Sequence, residues 1–152
     1  MPSTRMSLSS LDTNILLYAA NEDALEHGVC KGLLEQVVKD PTDWVIADQV
    51  YLELYRALRN PRVMTNPLPA RQAAQHISVL RDELGISHCG YDSGFWKRLI
   101  RRLEADDFPY RRTHDAVLAA TLLGHGVQTL YTRNTKDFEN AGFALVINPV
   151  DR

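Results

Sequence analysis

Residues 7–20 read Ser-Leu-Ser-Ser-Leu-Asp-Thr-Asn-Ile-Leu-Leu-Tyr-Ala-Ala. The first five residues are predicted to form a short strand, and a polar triplet then separates this strand from the apolar run Ile15–Ala20. In an open parallel sheet, ligands bind just beyond such strand ends. The triplet therefore supplies two candidate site residues, Asp12 and Asn14. Asp12 equally fits the N-cap of the following helix.

The rest of the chain continues this alternation of short apolar strands with longer helical patterns. Strands are predicted at 44–47, 86–89, 127–131 and 144–147, and helices at 23–39, 48–59, 70–83, 92–103 and 115–123. Asp48 is the expected N-cap of the second of these helices. The pattern predicts an α/β fold, a mostly parallel central sheet with helices on both faces. The 152 residues suit one domain, 1–152, in which residues 1–6 are expected to be a disordered extension.

Composition excludes several classes of protein. With 19 acidic and 17 basic side chains the net charge is −2, which excludes binding of nucleic acid through bulk positive charge but leaves room for a local basic face. No run of 18 apolar residues predicts a membrane span, and the first ten residues lack the apolar core of a signal peptide. The two cysteines have no metal-ligand spacing. We therefore expect a cytoplasmic protein with no membrane association.

Further oxygen-bearing side chains lie where a ligand site is expected. Thr132, Asn134 and Asp137 follow the strand at 127–131. Glu53 lies at the edge of the apolar stripe of its predicted helix, and Asp115 lies in the first turn of another helix, on its inward face. Each has a structural alternative. Thr132 and Asn134 fit turn formation after the strand, and Asp137 fits a solvated loop. Glu53 fits an ion pair with Arg56 or Arg59, and Asp115 fits a favourable interaction with the helix dipole.

Four acids on separate elements form a stronger pattern than any one of them: Asp12, Glu53, Asp115 and Asp137. Oxygen ligands without clustered His or Cys favour a hard cation, Mg²⁺ or Mn²⁺, and such ions act on phosphate esters. The sequence has no GxxxxGK[ST], GxGxxG, GxSxG or HExxH motif. This excludes the nucleotide-binding, serine-hydrolase and zinc-protease classes that these motifs mark.

Four blocks of the sequence resemble the motifs of PIN-domain ribonucleases, in the family's order. They are Leu11-Asp12-Thr13-Asn14-Ile15-Leu16-Leu17-Tyr18-Ala19, Ala47-Asp48-Gln49-Val50-Tyr51-Leu52-Glu53, Thr113-His114-Asp115-Ala116-Val117-Leu118-Ala119-Ala120-Thr121, and Thr132-Arg133-Asn134-Thr135-Lys136-Asp137-Phe138 closing with Asn148-Pro149. Together they extend over residues 8–149. Within the family, the compact layout is most similar to VapC-type toxins of bacterial toxin–antitoxin pairs.

The resemblance implies a PIN-like three-layer sandwich and a Mg²⁺- or Mn²⁺-dependent endoribonuclease. It also implies a homodimer, neutralised by a small cognate antitoxin that occupies the acidic site. Carried over by position, Asp12, Asp115 and Asp137 would be metal ligands, and Glu53 a ligand or the residue that orients the attacking water. Asn14, Thr132 and Asn134 would contact substrate or support the acids. Some members carry an aspartate at the Asn134 position, which makes Asp137 the only acid in the fourth block here.

A basic helical face is predicted at Lys97, Arg98, Arg101 and Arg102. It suits an RNA backbone or an antitoxin, and it equally suits a solvated surface.

Two other functions remain open. The first is a catalytically silent PIN module that binds RNA or a protein, although such a module is expected to have lost acids. The second is a small-molecule phosphatase, although Asn14 stands where many of these enzymes have a second aspartate.

Overall fold

A computed structural model describes residues 7–151, so the expectation for residues 1–6 lies outside the described part of the chain. The elements of the fold are β1 (Leu8–Leu11), α1 (Thr13–Ala20), α2 (His27–Lys39), β2 (Val45–Ala47), α3 (Asp48–Leu58), α4 (Ala70–Ser78), β3 (Ser87–Cys89), α5 (Phe95–Leu103), α6 (Thr113–Gly124), β4 (Val127–Tyr131) and β5 (Leu145–Ile147). The five predicted strands are confirmed to within a residue or two.

The strands all run parallel. β1 pairs with β4 and β4 with β5, while β2 pairs with β3. A parallel bridge between Ser9 and Trp44 joins the two groups, which gives the order β3-β2-β1-β4-β5. β1 therefore lies at the centre, and its partner β4 comes from the last quarter of the chain.

This strand order fixes where the helices lie. Because crossovers between parallel strands are right-handed, the steps from β1 to β2 and from β2 to β3 place α1–α4 on one face of the sheet. The step from β3 back to β4 runs in the opposite direction and places α5 and α6 on the other face. The predicted three-layer α/β architecture is thus confirmed. The order reverses between β1 and β4, which is where such sheets open a ligand crevice.

The core is continuous through the sheet and the first helical layer. Leu11, Ile46, Leu54 and Leu130 have no solvent exposure, and each contributes roughly 1.5–3 kcal/mol through burial. A smaller apolar cluster lies between α5 and α6, formed by Phe95, Leu99, Ala116 and Ala120. Within residues 7–151, no helix is long and apolar enough to cross a bilayer.

Two predicted helices have different bounds in the structure. The helix predicted at 23–39 begins at His27, because Asn21 forms a turn in which its Oδ1 accepts the N–H of Asp23. The helix predicted at 70–83 is α-helical only to Ser78 and continues as a π-helical segment over 79–83.

The prediction that Asp48 caps α3 is wrong. Ala47 occupies the cap position, and Asp48 is the first helical residue. The Asp48 carboxylate instead pairs with Arg81, with Oδ1 2.7 Å from Nε. The acid still lies in the first turn, where the helix dipole favours it.

The predicted basic face of α5 is divided by the fold. The Arg98 guanidinium donates to the Asp92 carboxylate and to the carbonyl of Ala120, and Arg102 donates to the carbonyl of Ala141. Lys97 and Arg101 alone of the four are exposed. Two of the four cations are thus partly buried structural groups.

Candidate active site

Asp12 lies at the carboxyl end of β1 and is only 8% exposed. Its Oδ1 accepts the N–H of Thr13 at 2.7 Å, and its Oδ2 accepts the hydroxyl hydrogen of Thr132 at 2.8 Å. Thr132 follows β4, the neighbouring strand, and is fully buried. Asp12 is the N-cap residue of α1, as one interpretation of the sequence expected, and it also lies in the crevice between β1 and β4.

Glu53 reaches the same crevice from α3. Its Oε2 accepts the hydroxyl hydrogen of Thr13 at 3.4 Å. The structural alternative, an ion pair with Arg56 or Arg59, is not formed within the described residues, and Arg59 donates to the hydroxyl of Tyr55. Sequence analysis had not given Thr13 a role of its own, although it lies inside the first block.

Asp115 shows that the four acids share one electrostatic environment. Its pKa is raised to about 6, first by burial and then by the negative charges of Asp12, Asp137 and Glu53. The nearby charge of Arg112 opposes this rise. The structure therefore brings all four predicted acids close enough to interact.

Asp12 has a raised pKa for the same reasons. Burial is the largest cause, and the charges of Glu53 and Asp137 add to it. The hydrogen bonds from Thr132 and Thr13 act in the opposite direction, because they stabilise the carboxylate form.

Asp137 lies in a 3₁₀ turn after β4, and its Oδ1 is 3.2 Å from a terminal nitrogen of Arg112. Sequence analysis assigned no role to Arg112. The sequence feature that could have identified Arg112 as a site residue is its position directly before α6, because the first turn of α6 contains Asp115.

The neutral candidates have different roles. Asn14 Oδ1 accepts the N–H of Arg133 at 3.2 Å and so ties α1 to the loop after β4. Thr132 Oγ1 also accepts the N–H of Asn134 at 3.0 Å. The Asn134 side chain is exposed. Thr132 and Asn14 therefore support the site, whereas Asn134 is available to a ligand.

Two depressions border the acids. The basic cavity, of about 240 Å³, is lined by Asp115 and Asp137 together with Arg102, Arg112 and Lys136. The Tyr91 groove, of about 520 Å³, is lined mainly by apolar and aromatic groups and includes Glu53. The rest of its lining is Asp48, Gln49, Leu52, Cys89, Gly90, Tyr91, Thr113, His114, Val117 and Thr121. The acids thus lie between a depression that contains cations and one whose surface is mostly apolar.

The donor set suits a hard divalent cation. Every candidate ligand is an oxygen, and the mutual repulsion of the acids would be relieved by a positive ion. Within residues 7–151, no three acidic, His or Cys side chains are close enough to hold an ion together. Mg²⁺ commonly binds through one or two carboxylates and retains several waters. A site in which no three acids contact the ion together is therefore compatible with Mg²⁺.

Known proteins resemble the chain in sequence and in fold. The family model of the PIN domain matches residues 10–144. Ribonuclease VapC24 of Mycobacterium tuberculosis is 35% identical over 149 residues, covering 93% of this chain and 96% of that protein. Ribonuclease VapC48 of the same organism is 25% identical over 85% of this chain and 88% of its own length.

Among solved structures, VapC20 of Mycobacterium tuberculosis, described as a sarcin-ricin loop cleaving toxin, matches with a TM-score of 0.67 at 21% identity. The match covers 89% of this chain and 95% of that one. VapBC2 of Rickettsia felis, solved with a DNA fragment from its promoter, matches with a TM-score of 0.64 at 18% identity, over 93% of this chain and 99% of that one. These two likenesses concern the fold. The match of the family model over most of the sequence shows that the chain belongs to the PIN-domain family.

Proposed function

We propose that the protein is an endoribonuclease that depends on Mg²⁺ or Mn²⁺ and cleaves RNA phosphodiester bonds at Asp12, Glu53, Asp115 and Asp137. The observation that carries this proposal is the position of Asp12 in the crevice between β1 and β4, where Thr13 donates both to Asp12 and to Glu53. The raised pKa of Asp115, to which the charges of the three other acids contribute, agrees with this placement. The similarity to relatives named as VapC ribonucleases supports RNA as the substrate.

The acids have distinct surroundings and hence distinct roles. Asp12 is held rigidly by Thr13 and Thr132, which suits a fixed ligand of the cation. The charge of Asp12 contributes to the raised pKa of Asp115, and the two acids would share that ion. Glu53 is held only by a long hydrogen bond, so it can orient the attacking water and receive its proton.

Asp137 has a different partner from the other acids, because Arg112 already neutralises part of its charge. We assign it a supporting role, in which it adds negative charge near the ion and fixes Arg112 beside the site. When bound, the divalent ion supplies positive charge that stabilises the pentacovalent phosphate of the transition state.

The biological setting is part of the same proposal. We infer that the chain folds as a single PIN-like domain in the cytoplasm and acts as the toxin of a VapBC-type pair, inhibited by a small antitoxin. Solved neighbours that include toxin–antitoxin complexes support this partner. A homodimer is proposed because Leu25, in the turn before α2, is fully exposed and Val29, in the first turn of α2, is 47% exposed.

A cleavage assay tests the enzyme proposal. Wild-type protein is incubated with a mixed RNA pool in Mn²⁺ and in EDTA, beside the Asp12→Asn variant. We expect cleavage only by the wild type with Mn²⁺. Cleavage that survives EDTA would contradict the metal dependence. Binding without cleavage would identify the silent PIN module instead.

A further inference from the structure

The Tyr91 groove begins at the acidic site and leads away from it. Glu53 belongs both to the four interacting acids and to the groove lining. An RNA strand whose phosphate lies at the acids can therefore place an adjoining nucleotide in the groove. Among the described residues that line it there is no Lys or Arg, and two of them, Asp48 and Glu53, are carboxylates. The groove thus offers no cation to a phosphate and suits an uncharged part of the strand.

An aromatic face is presented inside this groove. Tyr91 is 63% exposed, and its ring lies 3.8 Å from the ring of Phe95 at an interplanar angle of 4°. Phe95 is itself buried, so one face of Tyr91 is covered and the other is free for a flat ligand. Leu52, 74% exposed, adds apolar surface to the lining of the same groove.

The loop that carries Tyr91 is fixed on both sides. The carbonyl of Gly90 lies 2.8 Å from His125 Nε2. Asp92 accepts hydrogen bonds from the backbone N–H of Gly94 and from Arg98. These contacts hold the Tyr91 ring in place before any ligand arrives, so little ordering cost remains at binding.

We propose that the Tyr91 groove is a nucleobase subsite, in which a base of single-stranded RNA next to the scissile phosphate stacks on the free face of Tyr91. This inference rests on the proposed function, because it takes RNA as the substrate. Bases stack on aromatic side chains regardless of their sequence identity, and the flat ring and apolar walls suit a base. The cations of the neighbouring basic cavity, Arg102, Arg112 and Lys136, attract the backbone, and the groove holds the base.

Equilibrium binding in EDTA tests the subsite without requiring catalysis. The probes are a short 5′-labelled oligoadenylate and an oligomer of the same length built from stable abasic tetrahydrofuran residues. We expect the Tyr91→Ala variant to bind oligoadenylate about ten-fold more weakly than wild type, and the abasic oligomer equally well. Tyr91→Leu, which keeps apolar bulk but lacks a ring, should show the same loss.

Two variants serve as matched controls. Tyr91→Phe keeps the stacking ring and should bind as wild type does. Trp96→Ala removes a second exposed aromatic that also packs on Phe95 but does not line the groove, and its binding should be unchanged. Equal loss of affinity in Trp96→Ala and Tyr91→Ala would overturn the proposal, because it would indicate a general effect on packing.

The outcomes separate this inference from the enzyme proposal. If wild type cleaves RNA in Mn²⁺ but Tyr91→Ala binds oligoadenylate normally, the subsite is overturned and the groove remains as a surface for an apolar protein segment. If wild type does not cleave RNA but loses base-dependent affinity in Tyr91→Ala, the subsite is supported and the nuclease proposal fails.

Discussion

The hydroxyl of Thr132 donates a 2.8 Å hydrogen bond to Oδ2 of Asp12, although 120 positions separate the two residues. Both side chains are buried, so water cannot replace this bond. We expect Thr132→Val to lower RNA cleavage by about ten-fold, the effect of losing a hydrogen bond to a charged group of roughly 1.5–3 kcal/mol. Thr132→Ser keeps the hydroxyl and should retain most activity. Cleavage assays at saturating Mn²⁺ measure the difference, and equal activity of Val and Ser variants would contradict it.

The raised pKa of Asp115 makes the metal-free protein sensitive to pH. The folded state retains a proton on Asp115 up to about pH 6, whereas the unfolded state releases it near 3.8, the ordinary pKa of an aspartate. The contribution of Asp115 to the free energy of unfolding is therefore fully present below the unfolded pKa, and it is lost as pH rises from about 4 to about 6. Thermal melts in EDTA should show this fall in wild type and a smaller one in Asp115→Asn. Parallel curves for the two proteins would contradict the predicted coupling.

Divalent metal should stabilise the protein through the acids. At a concentration of 100 times its Kd, an ion bound only by the folded state adds about 2.7 kcal/mol to the free energy of unfolding. We expect Mn²⁺ to raise the Tm of wild type and to have much less effect on Asp12→Asn. Asparagine retains the capping oxygen for Thr13, so the variant removes charge but keeps the N-cap. Equal shifts in both proteins would mean that Asp12 is a helix cap only.

Arg98 and Lys97 are adjacent on α5 but should behave differently. Arg98 joins Asp92 to the carbonyl of Ala120, and a side chain at Gly124 would collide with this pair. Arg98→Ala and Gly124→Ala should each lower the Tm by several degrees, whereas Lys97→Ala should leave it unchanged. Thermal melts measure this. A Tm of Arg98→Ala equal to that of Lys97→Ala would show that the buried ion pair contributes nothing to stability.

The apolar exposure at the start of α2 predicts self-association. Leu25 is fully exposed in the turn just before α2, and Val29 in the first turn of α2 is 47% exposed. Leu25→Lys should shift the proposed dimer towards monomer in light scattering at tens of micromolar. Lys31→Glu, a charge change within α2, is the control. A wild-type monomer at this concentration would contradict the proposed homodimer.

Sequence patterns predicted a structural feature correctly where that feature depends on one residue and on the helix or strand that contains it. Short apolar strands and long helical periods predicted the parallel sheet, and the position of Asp12 after a strand predicted its place in the crevice. The prediction for Asp48 was wrong because its partner, Arg81, lies 33 positions away. Local patterns contain no information about such a pairing.

The basic face of α5 shows the same limit. Helical spacing placed four cations on one side, but the carbonyls that bind Arg98 and Arg102 belong to α6 and to the segment before β5. The contact between Arg112 and Asp137 was likewise missed, because it forms only when the beginning of α6 meets the turn after β4.

The pairing of β1 with β4 has a consequence for protein synthesis. Asp12 leaves the ribosome early, but its hydrogen-bonding partner Thr132 and the last acid, Asp137, belong to the final 21 residues of the chain. A chain that ends before β4 contains three of the four acids and lacks both the strand that pairs with Leu11 and the hydroxyl of Thr132. Products truncated before β4 would therefore have no complete site, and the proposed activity would arise only once residues 127–137 have been synthesised.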